Sequence, residues 1–233
     1  MKQRRRLYLM RHGSVDYFRA DGTPIPPLTV PLNEAGRAQA DAAGALFAQC
    51  GVRFDRVIVS GLQRTVETAE RVLAAAALAL PLEHEPALAE IRGGRLSDIA
   101  PEEVEAAFLG AFQGGTGLEQ RRFLGGESVG ELLDRVLPAF ERVVARDDWT
   151  TLLLVLHGGV NRALLTRALT GARGFLGAME QLPACINIVD VGEDAMIVRA
   201  VNLAPTQWLH QHESETTMEK LLAQYRRREA SSR

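Results

Sequence analysis

Leu7-Tyr8-Leu9-Met10-Arg11-His12-Gly13 is the stretch whose reading decides the fold. A short apolar run, readable as a buried strand, delivers an arginine, a histidine and a glycine at its carboxyl end. In an open α/β sheet ligands bind at that end, in the crevice beyond the strand tips. A guanidinium beside an imidazole suits an anion, and phosphate fits it best. Two later stretches repeat the arrangement. Thr151 to Leu156 is an apolar strand ending in His157-Gly158-Gly159, and Phe54 to Val59 precedes Ser60 and a helix carrying Arg64 on its first turn. Arg11, His12, Arg64 and His157 are therefore predicted at one edge of one sheet.

Between these strands the pattern is helical. Asn33 reads as an N-cap for a helix over Glu34 to Gln49, with Ala35, Ala38, Ala42, Ala45, Leu46 and Ala48 as its expected buried face. Ser60 reads as the cap of a helix from Leu62 to Ala77. Ser128 and Glu131 form a capping box for Val129 to Arg146, where Pro138 should kink or split the helix. A further helix, Asn161 to Thr170, is closed by Gly171, and Cys185 to Val191 pairs with Met196 to Val201. Ser14 to Pro31 is a proline-rich loop in which Tyr17, Phe18 and Arg19 could touch a ligand. Residues 92–127 read as an excursion from the sheet, with a helical Glu102 to Phe112 and a turn at Gly114-Gly115-Thr116-Gly117. Its Phe108, Phe112 and Phe123 are read mainly as core packing. Residues 213–233 form a charged tail, with some helical character and a frayed end.

Alternating strands and helices define an α/β protein, and 233 residues suit one domain, 1–233, able to bury a full core. A formal net charge of -2 argues against nucleic acid or a membrane surface as a partner, so phosphate binding must come from a local cation cluster. Cys50 and Cys185 lack a C-x-x-C pairing and read as buried, reduced thiols of a cytoplasmic protein. The basic Met1-Lys2-Gln3-Arg4-Arg5-Arg6 precedes an apolar run that stops at Arg11, too short for a secretion signal or a membrane span. No Asp-rich or His/Cys cluster points to a metal, and no metal or other cofactor is expected.

The ordered set resembles the histidine phosphatase superfamily, the phosphoglycerate mutase-like proteins. Leu9-Met10-Arg11-His12-Gly13 matches the first signature, Ser60-Gly61-Leu62-Gln63-Arg64-Thr65 the second arginine motif, and Leu156-His157-Gly158-Gly159 the second histidine. Glu90 in Leu88-Ala89-Glu90-Ile91 stands where the family carries an acid, and Leu32-Asn33-Glu34-Ala35-Gly36 and Gly126-Glu127-Ser128 also resemble family segments. The resemblance implies a three-layer α/β/α sandwich around a mostly parallel sheet, with the excursion as a cap over the site. It implies a metal-independent phosphomonoesterase, akin to the histidine acid phosphatases. His12 would be the nucleophile, Arg11, Arg64 and His157 the phosphate clamp, and Glu90 the proton donor, with Ser14 and Gly158 also binding substrate. A backbone carbonyl on the other ring nitrogen of His12 would fix its tautomer.

The residues after Glu90, Ile91-Arg92-Gly93-Gly94-Arg95-Leu96, are more basic than the family's usual run, so Asp98 or Glu127 could share the acid's task. Arg92, Arg95, Arg121 and Arg122 could meet further anionic groups. The Trp-Asn pair of the mutases is absent after Gly13, which favours hydrolysis over mutase-type transfer to a second position. A non-catalytic phosphate-binding protein is the third reading. The substrate is expected to be a small phosphorylated molecule, and relatives suggest a homodimer.

Overall fold

The computed structural model describes residues 4–19, 21, 23–112, 117–210 and 214–231, with side chains up to 227. The predicted turn at Gly114-Gly115-Thr116 and the last two residues of the tail lie outside them. Six strands form one sheet: β1 (Arg5–Arg11), β2 (Arg56–Val59), β3 (Leu82–His84), β4 (Thr151–Leu156), β5 (Ile186–Val191) and β6 (Met196–Leu203). Their spatial order is β3-β2-β4-β1-β5-β6. Neighbours from β3 to β1 pair in parallel, while β5 runs against both β1 and β6. Parallel strands are covered on both faces, which is why β4 can be apolar without alternation: Leu152 to Leu156 are all fully buried.

Among the described residues, six α-helices follow in chain order: α1 (Glu34–Gln49), α2 (Gln63–Ala75), α3 (Val104–Leu109), α4 (Val129–Ala145), α5 (Gly158–Thr170) and α6 (Thr217–Ser231). The alternate side chains of β4 sort the layers. Leu153 and Val155 pack with α1 and α2, whereas Leu152, Leu154 and Leu156 pack with α4 and α5. This is the three-layer α/β/α arrangement around a mostly parallel sheet. Among the described residues, no helix is long and apolar enough to cross a membrane.

The caps at Asn33 and Ser128 form as expected: Asn33 accepts from Gly36 N–H, and Ser128 and Glu131 exchange both capping-box bonds. The buried face of α1 does not. It is Gly36, Ala40, Ala43, Gly44 and Phe47, and Ala35, Ala38, Ala45 and Ala48 are exposed. In an alanine-rich helix the alanines do not choose a face. The phase is set by the one large ring, Phe47, and by backbone packing, since a Cβ on Gly36 would lie 2.1 Å from Ser14 O. Cys50 is exposed, not buried, because it sits past the end of α1 rather than on its packed face; Cys185 is buried.

Ser60 does not cap α2, whose N-cap is Leu62 without a side-chain bond. Pro138 does not split α4. Its ring removes the bond to Asp134 O, but both residues are exposed on the solvent side, where water can serve that carbonyl. The helix after His157 begins three residues earlier than expected, so Gly158 and Gly159 belong to its first turn. The expected helix from Glu102 to Phe112 is broken into a 3-10 turn, α3 and a second 3-10 turn, with Pro101 opening the first turn and Gly110 the second. The tail is not peripheral. Leu222 and Tyr225 of α6 are buried against Val104, Phe108 and Leu124.

Candidate active site

Register assembles the site. Arg11 pairs with Leu156 across β1 and β4, and Val59 pairs with Val155 across β2 and β4. The next residue on each strand is therefore His12, His157 and Ser60, side by side at one edge. The two imidazole rings lie 5.3 Å apart, centre to centre, edge to face. Arg11, His12, Arg64 and His157 are all buried.

His12 Nδ1 lies 2.7 Å from Gly13 O. A carbonyl only accepts, so Nδ1 carries the proton and Nε2 keeps its lone pair. Burial, then the charges of Arg64 and Arg11, hold the His12 pKa well below the ordinary histidine value, against the opposing pull of Gly13 O. The ring is thus neutral near pH 7. His157 is pushed down in the same way, by burial and then by Arg64 and His12. Its Nε2 stands 2.8 Å from Ser60 Oγ.

Arg11 donates to Gln181 O, and to Thr217 Oγ1 at 2.9 Å. Arg64 donates to Pro27 O at 2.7 Å. Arg11 Nε, Arg64 Nε and His157 Nδ1 are buried and have no hydrogen-bond partner in the protein. Buried donors are normally paired. Two unpaired guanidinium donors beside an unpartnered imidazole nitrogen, in one cation-rich cluster, are what a phosphoryl group with its several acceptor oxygens would satisfy.

Glu90 is half-buried, and its carboxylate accepts from Gly159 N–H through Oε2 (3.0 Å) and from Ile91 N–H through Oε1 (3.0 Å). Its own backbone is held by Arg135 of α4, which donates to Ala87 O, Ala89 O and Glu90 O at 2.7–3.0 Å. The same guanidinium pairs with Glu127, through Nε at 2.7 Å. Glu127 is therefore committed to Arg135 and to Arg92 N–H and is no alternative acid. Asp98 is exposed and accepts from Ser97.

Two cavities meet at Arg11 and His12. One, of about 200 Å³, is lined by polar groups that include Ser14, Asp16 and Glu180. The other, of about 270 Å³, holds Arg64, Glu90 and Gly158, with Phe108, Phe112 and Phe123 in its walls. The three rings thus do more than pack the excursion. Tyr17 borders both cavities, Phe18 only the second and Arg19 neither. Arg92, Arg95, Arg121 and Arg122 border neither; Arg122 pairs with Glu131.

Arg135, Ser60 and Thr217 were missed as site residues in the sequence. Arg135 gave one faint signal, a charge bordering the apolar stripe of α4. Among the described residues, no group of three or more His, Cys, Asp or Glu side chains could hold a metal ion.

Comparison with known proteins agrees with this geometry. Residues 7–204 match the model of the histidine phosphatase superfamily (branch 1). The chain is 30% identical over 202 residues to a 2,3-bisphosphoglycerate-dependent phosphoglycerate mutase of Bartonella tribocorum, covering 79% of this chain and 91% of that one. It is 31% identical over 217 residues to the bifunctional protein Rv2228c of Mycobacterium tuberculosis, covering 84% of this chain but only 53% of the relative's length. Among solved structures, the alpha-ribazole phosphatase of Shigella flexneri superposes with a TM-score of 0.63 at 25% identity, over 84% of this chain and 96% of that one. Strand-end histidines, paired arginines and matched segments in one order lead to one conclusion: the chain belongs to the histidine phosphatase superfamily.

Proposed function

We propose that the protein is a metal-independent phosphomonoesterase working through a phosphohistidine at His12. The observation that carries this reading is the His12 ring: neutral, its Nδ1–H fixed on Gly13 O, and flanked by two buried arginines. Nε2 attacks phosphorus and the P–O bond to the alcohol breaks in line. Arg11, Arg64 and His157 hold the remaining oxygens and stabilise the charge that develops on them. Glu90 gives its proton to the leaving oxygen. It then takes one from the water that breaks the P–N bond, releasing inorganic phosphate and restoring neutral His12.

Mutase-type transfer would use the same cluster, as the name of the Bartonella relative suggests. Hydrolysis is favoured because the mutases' Trp-Asn pair is missing after Gly13.

Turnover of 4-nitrophenyl phosphate in excess EDTA, beside a His12→Ala control, tests the reading. EDTA should leave the rate unchanged, and the substitution should lower kcat by at least about a thousand-fold. Loss of activity in EDTA, or its survival in the variant, refutes it.

A further inference from the structure

The two cavities at His12 differ in chemistry, and Glu90 says which one receives the leaving group. A proton donor must reach the oxygen that departs, and departure is opposite the attacking nitrogen. Glu90 borders only the 270 Å³ cavity, not the polar one. The organic part of the substrate therefore lies on that side.

Away from the phosphate cluster that side is mostly hydrocarbon, with Tyr17, Gln181 and Thr217 as its neutral polar side chains. The excursion contributes Phe108, Phe112 and Leu124, the loop after β1 contributes Ile25, and α6 contributes Met218 and Leu221. Phe112 stacks on both Phe123 and Phe175. One further cation lines it, Arg162. Its charge is countered by Glu180, 3.4 Å from Nη2, and its Nε donates to Met179 O at 2.5 Å. A carboxylate or second phosphate, or the hydroxyls of a sugar, would lose water there and find few partners.

We propose that the protein acts on phosphomonoesters of an apolar alcohol, aliphatic or aromatic, with the hydrocarbon seated between the excursion and α6. This rests on the phosphatase reading and narrows it. It also gives α6 a task, because Met218 and Leu221 close the apolar side while Thr217 of the same helix receives Arg11.

The experiment is a chain-length series in two arms. Hydrolysis of ethyl, butyl and hexyl phosphate is compared with glycerol phosphate and 3-phosphoglycerate. Binding of methyl, butyl and hexyl phosphonate, which carry no cleavable ester, is measured by calorimetry. Both kcat/KM and affinity should rise about three- to four-fold per methylene. Met218→Gln and Ile25→Gln, in separate walls, should each shrink that gain. A flat phosphonate series, or a preference for glycerol phosphate or 3-phosphoglycerate over butyl phosphate, overturns the proposal. Failure to hydrolyse any ester, 4-nitrophenyl phosphate included, would refute the phosphatase reading instead. The phosphonate arm would still judge the cavity.

Discussion

Glu90 is held by two backbone N–H groups, and one belongs to a glycine with no room for a side chain. A Cβ on Gly159 would fall 2.5 Å from Glu90 Oε1. That atom is the end of a flexible side chain, so an added methyl moves the carboxylate rather than the helix. Alanine is otherwise the better residue inside a helix, by about 1 kcal/mol. Gly159→Ala should therefore keep or raise the melting temperature while displacing the proposed proton donor. Since general acid catalysis is worth about 10²- to 10⁴-fold, kcat on an alkyl phosphate should fall by on the order of a hundred-fold. Turnover of 4-nitrophenyl phosphate, whose leaving group needs little protonation, should fall much less. Equal losses on both substrates would mean that Glu90 does not deliver the proton.

At the scale of elements, the segment that carries Glu90 has almost no regular structure of its own. A 3-10 turn over Pro86–Leu88 precedes it, and its carbonyls are gathered by one guanidinium from α4. Arg135 and Glu127 are both largely buried, and removing one partner of such a pair strands the other charge. Arg135→Ala should cost about 3 kcal/mol or more in denaturant unfolding and should abolish turnover. Arg135→Lys should recover little of either, because an ammonium cannot reproduce the planar fork across three carbonyls and a carboxylate. If Arg135→Ala unfolds like the parent protein and stays active, the segment is ordered by something else.

Across the whole molecule, the phosphate cluster was legible because sheet register does the assembling. His12 and His157 each directly follow a strand, Arg64 sits one turn into the helix after a third, and parallel pairing brings those ends together. Strand ends are readable in a sequence, since the apolar run and the residue after it are contiguous. What was illegible depends on contacts distant along the chain. Arg135 reaches Glu90 across 45 positions, and Thr217 meets Arg11 across 206. No local pattern announces either. The face of α1 was illegible for another reason: alanine packs equally well on any side, so backbone approach at Gly36 and the bulk of Phe47 decided it. The tail reads as a charged, frayed segment because nine of its 21 residues are charged, yet Leu222 and Tyr225 pin it over the excursion.

Every part of this assembly serves one atom, the Nε2 of His12, and the most direct measurement is to catch it bonded to phosphorus. Rapid quench of the wild-type protein with an excess of labelled phosphomonoester, followed by peptide mapping, reports the site of attachment. The account predicts an acid-labile, base-stable phosphoryl group on His12 that appears at the rate of alcohol release and is absent in His12→Ala. Phosphate released in a burst-free reaction with no covalent label, or a label on any other residue, would contradict it.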